Sequence, residues 1–182
     1  MYNELLVKKM NEGKIYLAAG CFWGSEKAFS LLKGVLSTRV GYVNGNTENP
    51  SYEEVCQDNT GFKEAVEIIY DRDTLSLETI LKAFFLCIHP DQKNRQGNDI
   101  GSQYQTGVYY IDKEDYPVLE KIFEEERKRH GAFYVELEEM ENFYEAEEYH
   151  QKYLDKNPNG YCHIGSYEFE KILELNGKDV RK

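Results

Sequence analysis

Cys21 stands between a short apolar run ending at Gly20 and a helical pattern that begins at Phe22. A thiol at such a turn meets unpaired backbone N–H groups and the positive end of the helix dipole, and both favour thiolate. The spacing therefore predicts a low-pKa cysteine beside Phe22 and Trp23, two aromatics able to wall an apolar pocket. The same facts fit a small core cysteine among core aromatics. Glu64 is the second candidate. It shares alternate positions with Phe62, Val66, Ile68 and Tyr70. A carboxylate on an apolar strand face loses hydration, which raises its pKa and makes it a proton donor near neutrality. A solvated strand end is the other reading.

Cys162 lies in Asn157-Pro-Asn-Gly-Tyr-Cys-His-Ile-Gly165. Loose backbone on both sides lets its sulfur travel, as a cysteine that resolves a sulfenic acid must; an incidental loop thiol is the alternative. Tyr52 and Tyr104 stand at junctions of loops with elements, where a phenol can project into a cleft. Asp99, flanked by Gly97 and Gly101, marks an ordered turn. Cys56 and Cys87 read as inert packing residues. The four cysteines form no C-x-x-C pair and the four histidines no i, i+4 pair, so a metal site is not expected.

These side chains need elements to hold them. Lys14 to Ala19 reads as a strand, Phe22 to Leu32 as a helix and Val35 to Val43 as a second strand. Ser51 and Glu54 form a capping box opening a helix over 52–57. Phe62 to Tyr70 alternates as a strand, and Ser76 caps a helix closed by Pro90. Asp91 to Gln105 is a long polar segment, the kind that is functional or disordered. A strand over 106–111, a charged helix over 114–130 with Pro117 in its first turn, and a strand over 134–140 follow. Ala146 to Leu154 is read as helical, and 167–175 as a short terminal helix. Strands alternating with helices imply an α/β or α+β fold, and no linker or repeat divides residues 1–182.

The chain has 182 residues, enough to bury roughly 70% of its unfolded surface as one domain without disulfides. It carries 33 acidic and 22 basic side chains, a net charge of -11. That balance disfavours nucleic acid as a partner. No apolar run approaches the roughly 20 residues that span a bilayer. The start, Met1-Tyr-Asn-Glu-Leu-Leu6, shows no secretory signal, so no membrane is expected and the location is read as cytoplasmic.

Taken in order, Gly20-Cys-Phe-Trp-Gly-x-Glu26, Asn49-Pro-Ser-Tyr-Glu-x-Val-Cys56, Thr60-Gly-x-x-Glu-Ala-Val66, Asn94-Arg-Gln-Gly-Asn-Asp-x-Gly-Ser-Gln-Tyr104, Tyr149-His-Gln-x-Tyr-Leu154 and Asn157-Pro-x-Gly-Tyr-Cys162 resemble the peptide methionine sulfoxide reductase A family. The resemblance covers about residues 14–165 and leaves 166–182 as a tail without a reading. It implies a thiol-dependent reductase for the S epimer of methionine sulfoxide, free or in proteins, serving repair after oxidative damage. The family's nucleophile falls on Cys21, its methyl-holding aromatics on Phe22 and Trp23, and its acid on Glu64. The tyrosines that bond the sulfoxide oxygen fall on Tyr52 and Tyr104, the substrate-loop aspartate on Asp99, and the resolving cysteine on Cys162. A single Cys21–Cys162 disulfide, reduced by thioredoxin or in vitro by dithiothreitol, is implied, with no bound metal, flavin or nicotinamide. The implied fold is a two-layer sandwich with a central mixed sheet and a ferredoxin-like core.

One departure is Gly61-Phe-Lys-Glu64 where the family has Gly-His-Ala-Glu. Two other classes share parts of this pattern. A nucleophile elbow wants glycine two residues either side of the nucleophile, where this chain has Ala19 and Trp23. A zinc-stabilised or redox-sensing module would use the same cysteines.

Overall fold

The computed structural model describes residues 11–177. The start read for a signal, Met1–Leu6, and the last five residues of the tail lie outside them. The strands are β1 (Glu12–Ala18), β2 (Val35–Val43), β3 (Lys63–Asp71), β4 (Arg95–Gln96), β5 (Asp99–Ile100), β6 (Gly107–Tyr110), β7 (Glu136–Glu139) and β8 (Phe143–Glu145). The helices are α1 (Phe22–Ser30), α2 (Tyr52–Cys56), α3 (Leu77–Leu86), α4 (Tyr116–Arg127), α5 (Tyr153–Lys156) and α6 (Ser166–Leu175). Six strands form one sheet in the order β7-β6-β1-β3-β2-β8. All its pairs are antiparallel except β6 with β7, so the sheet is mixed, as expected.

Alternation along the central strands sorts the core. Ile15, Leu17, Val40, Tyr42, Val66, Ile68 and Tyr70 join the helix residues Phe29, Leu32, Ile80, Phe84 and Phe123 in the large apolar cluster. Each fully buried side chain of this size contributes about 1.5–3 kcal/mol. The other residues of the same strands, Tyr16, Ala18, Val43 and Ala65, gather with Tyr109 of β6, Met140 and Phe143 in a smaller cluster. There Glu67 accepts from Tyr16 and is clasped by Arg39, both at 2.8 Å. Glu64 belongs to the first set: it faces Tyr42 across the β2–β3 ladder, one alternate step from Val66.

Local signals hold where they are chemical. Ser51 and Glu54 make the reciprocal capping box of α2, and Ser76 caps α3 by accepting from the Thr79 N–H. Two expectations are corrected. The segment read as one helix over Ala146–Leu154 is a single turn at 148–150, then Lys152 in the left-handed region, then α5. The Gln151 amide reaches the backbone of Val40 and Ala146, and the Lys152 N–H donates to the buried Glu26 at 2.6 Å. Those tertiary bonds outweigh helix propensity. Strand β8, three residues long, is too short to show alternation. The polar stretch 91–105 is pinned rather than loose. Gln96, 1% exposed, bonds both backbone groups of His89, Gln105 accepts from the Asn94 N–H, and Asp58 accepts from the Ser102 N–H. Among the described residues no helix is long and apolar enough to cross a membrane.

Candidate active site

Gly20 takes a φ of +81°, which turns the chain out of β1 and makes Cys21 the N-cap of α1. The Ser25 hydroxyl braces this turn against the carbonyls of Ala19 and Cys21 at 3.1 and 3.0 Å. No side chain caps α1, so its first N–H groups are free for the site. The Phe22 N–H donates to Glu64 Oε1 at 3.2 Å, and the Trp23 backbone N–H faces the Cys21 sulfur. One helix terminus thereby serves the thiol and the acid together.

Glu64 is 1% exposed, and its Oε2 has no hydrogen-bond partner among the described residues. Burial raises its pKa to about 8; the Phe22 N–H opposes the shift and Asp99 adds to it. The rim alternative for this residue is excluded. It is a carboxylic acid at pH 7, with one oxygen left to engage something that enters.

Cys21 is corrected. Burial pushes its thiol up, Glu64 pushes it further, and the Trp23 N–H only partly offsets them. At 7% exposure the sulfur loses more to desolvation than the helix terminus returns. The resting group is a neutral thiol, not the expected thiolate. The phenols of Tyr52 and Tyr104 are raised by burial and then by Glu64, and both respond to Cys21. Acid, thiol and two phenols therefore lie within one electrostatic neighbourhood. Asp99 joins it, raising Glu64, and accepts from the Tyr161 hydroxyl at 3.1 Å.

Phe22 is fully buried, with its ring 5.0 Å from His150. Trp23 stacks on Tyr153 at 3.7 Å and 11°, and its indole N–H donates to His150 Nδ1 at 2.9 Å. That bond leaves the His150 proton on Nε2, and burial lowers the ring's pKa. Tyr52 packs on the same imidazole at 4.6 Å. The two expected wall residues are thus fixed by an aromatic cage centred on His150. Cys162 is half-buried and lies over α1: a Cβ built on Gly24 would sit 2.8 Å from its sulfur. Glu64 and Cys162 meet Cys21, Phe22 and Trp23 at the start of α1, and Tyr52, Tyr104 and Asp99 lie within electrostatic reach of Glu64.

A family model described as peptide methionine sulfoxide reductase matches residues 13–179. The chain belongs to the peptide methionine sulfoxide reductase family. It is 55% identical over 157 residues to the peptide methionine sulfoxide reductase MsrA of Lachnoclostridium phytofermentans, covering 86% of this chain and 95% of that one. Among solved structures, reduced Mxr1 from Saccharomyces cerevisiae matches with a TM-score of 0.79 and 38% identity, over 83% of this chain and 88% of that one. Mxr1 in complex with Trx2 matches with a TM-score of 0.55 and 26% identity, over 78% and 84%.

As a peptide methionine sulfoxide reductase, the chain is an oxidoreductase whose chemistry is carried by thiols. The family match runs past residue 165 into the segment read as a tail, and α6 there contributes Ile172 and Leu175 to the core. The departure before the acid is absorbed by packing. Phe62 is buried against Gly45 and Tyr144, while Lys63 reaches the Asn44 carbonyl at 3.3 Å. Cys87 is buried as expected, whereas Cys56 is exposed and hydrogen-bonded to Tyr52. Residue-by-residue reading missed His150, Tyr153 and Tyr161. The signal was present, since Tyr149-His-Gln-x-Tyr and Gly160-Tyr-Cys162 are among the family blocks.

Proposed function

We propose that the chain reduces the S epimer of methionine sulfoxide, free or in oxidised proteins, through a Cys21 sulfenic acid and a Cys21–Cys162 disulfide. The observation that carries this reading is the buried Glu64, bonded to the N–H of the residue after Cys21 and holding one unpartnered oxygen, with its pKa raised by burial. A sulfoxide oxygen is a strong acceptor and a poor leaving group until protonated. Glu64 supplies that proton, and the phenols of Tyr52 and Tyr104 stabilise the charge developing on oxygen. Phe22 and Trp23 enclose the methyl group, and Asp99 with its Tyr161 partner orients the rest of the substrate. The thiol and the sulfoxide exchange one oxygen atom: Cys21 becomes a sulfenic acid, and the sulfoxide becomes a thioether.

Cys162 then condenses with the sulfenic acid, releasing water. Thioredoxin reduces the resulting disulfide by thiol exchange, consistent with the solved complex of Mxr1 with Trx2. Dithiothreitol replaces it in vitro, and no metal, flavin or nicotinamide is needed. The neighbouring strands β6-β1-β3-β2, in chain order βαββαβ, support reading the centre as a ferredoxin-like core in a two-layer sandwich. We read residues 1–182 as one catalytic domain acting in the cytoplasm on protein repair.

The test is a stereoresolved assay with dithiothreitol on both epimers, free and peptide-bound. The S epimer is expected to yield methionine and the R epimer to remain; the reverse preference rejects the reading. Cys162→Ser is expected to release one methionine per chain and then stall with thioredoxin as reductant. Continued thioredoxin-driven turnover removes Cys162 from its role.

A further inference from the structure

Cys162 and His163 are consecutive, and both side chains turn back onto the N-terminal half of α1. A Cβ built on Gly24 would lie 2.8 Å from Cys162 Sγ and 3.3 Å from His163 Nδ1. One built on Gly20 would lie 3.1 Å from His163 Nε2. Gly20, just before Cys21, and Gly24, one turn into α1, thus leave room for this imidazole, and the Gly24 position brings it close to Cys162. His163 Nε2 lies 2.8 Å from the Ala19 carbonyl, which can only accept, so Nε2 carries the proton and Nδ1 a lone pair. That Nδ1 is buried and has no hydrogen-bond partner among the described residues. A buried acceptor left unsatisfied costs free energy, and such exceptions call for an explanation.

We propose that His163 is the base of the resolving step, its Nδ1 taking the Cys162 thiol proton as that sulfur attacks the Cys21 sulfenic acid. The inference rests on Cys162 being the resolving cysteine. The S–S bond forms as the S–O bond of Cys21 breaks; Cys162 is oxidised, Cys21 is reduced, and the departing hydroxide takes up the transferred proton as water. The need for a base is evident in the resting site. Burial raises the Cys162 thiol, which donates to the Ile164 carbonyl at 3.4 Å, and a carbonyl takes no proton. Burial holds the imidazole below its ordinary range. Asp99 from the β4–β5 hairpin and the Ala19 carbonyl oppose that shift, and His89 from the segment after α3 reinforces it. The ring is therefore neutral at pH 7, with its lone pair available.

His163→Gln tests this, because a glutamine amide N–H can still reach the Ala19 carbonyl while the basic nitrogen is lost. Rapid-quench experiments would follow methionine release and loss of free thiols in the same reaction. The resolving step is expected to slow about 10²-fold or more relative to methionine release. Its pH profile should change as well. In the unaltered protein it is level above the His163 titration, whereas in the variant it climbs about tenfold per pH unit with the thiolate fraction of Cys162. Three results overturn the proposal. These are an unchanged resolving rate and profile, an equal slowing of both steps (a purely structural prop), or continued loss of two thiols per methionine in Cys162→Ser. The last would remove the resolving assignment itself, and the first two only the base.

Discussion

Cys21→Ser is expected to abolish methionine formation, first turnover included, by more than about 10⁴-fold. The size of the effect follows from three losses at once. A serine hydroxyl ionises far above any thiol, so the nucleophile is gone even where the Trp23 N–H still faces it. Oxygen attacks sulfoxide sulfur poorly, and a hydroxyl has no state equivalent to a sulfenic acid. The fold should not follow, because the residue is a helix N-cap and serine is a favoured one. Thermal unfolding within a few degrees of the unaltered protein, together with no methionine in a quenched single turnover, is the expected pair of results. A variant that is folded and still releases methionine at the original rate removes Cys21 from the chemistry.

The proton inventory makes this site unlike a preformed thiolate. Sequence alone places Cys21 at a helix terminus and stops there, because the dipole is legible in the order strand–Gly–Cys–helix. Desolvation is not. It depends on Glu64, which faces the thiol from β3, and on Gln96, which packs against Gly20 from the 90–105 segment, and both are distant from Cys21 in sequence. The net result reverses the expected sign. Glu64 was legible for the opposite reason. Strand alternation is a local rule that puts this acid on the face of Val66, Ile68 and Tyr70, and burial in the fold decides between an inward carboxyl and a solvated strand end.

Capping chemistry at Ser51 and Ser76 was equally readable, since both partners lie within three residues. The 146–154 segment failed because its conformation is decided by Val40 and Glu26, more than a hundred residues away. The aromatic cage failed for a related reason. His150 looked like a lone histidine, and only folding brings Trp23, Phe22 and Tyr52 around it.

Glu64→Gln should move activity and stability in opposite directions. Glutamine keeps the size and an oxygen for the Phe22 N–H, and loses only the acidic proton. Sulfenic acid formation is expected to fall about 10²- to 10⁴-fold. In the unaltered protein that rate should decline above about pH 8 as Glu64 ionises, and the variant should lack this inflection. The same raised pKa burdens the fold. Between the ordinary carboxyl value of 4.5 and about 8, the unfolded chain ionises Glu64 while the native state keeps its proton. The native state then binds more protons, so stability falls as pH rises through that window, by about 1.4 kcal/mol per pH unit. Glutamine removes that slope. The variant should therefore gain on the unaltered protein as pH rises from 5 to 8, in denaturant midpoints measured across that range. A side chain retained only for packing predicts parallel pH curves and an undiminished single-turnover rate. An acid held neutral for proton transfer predicts a slower enzyme that is harder to unfold at pH 8 than at pH 5, relative to its parent.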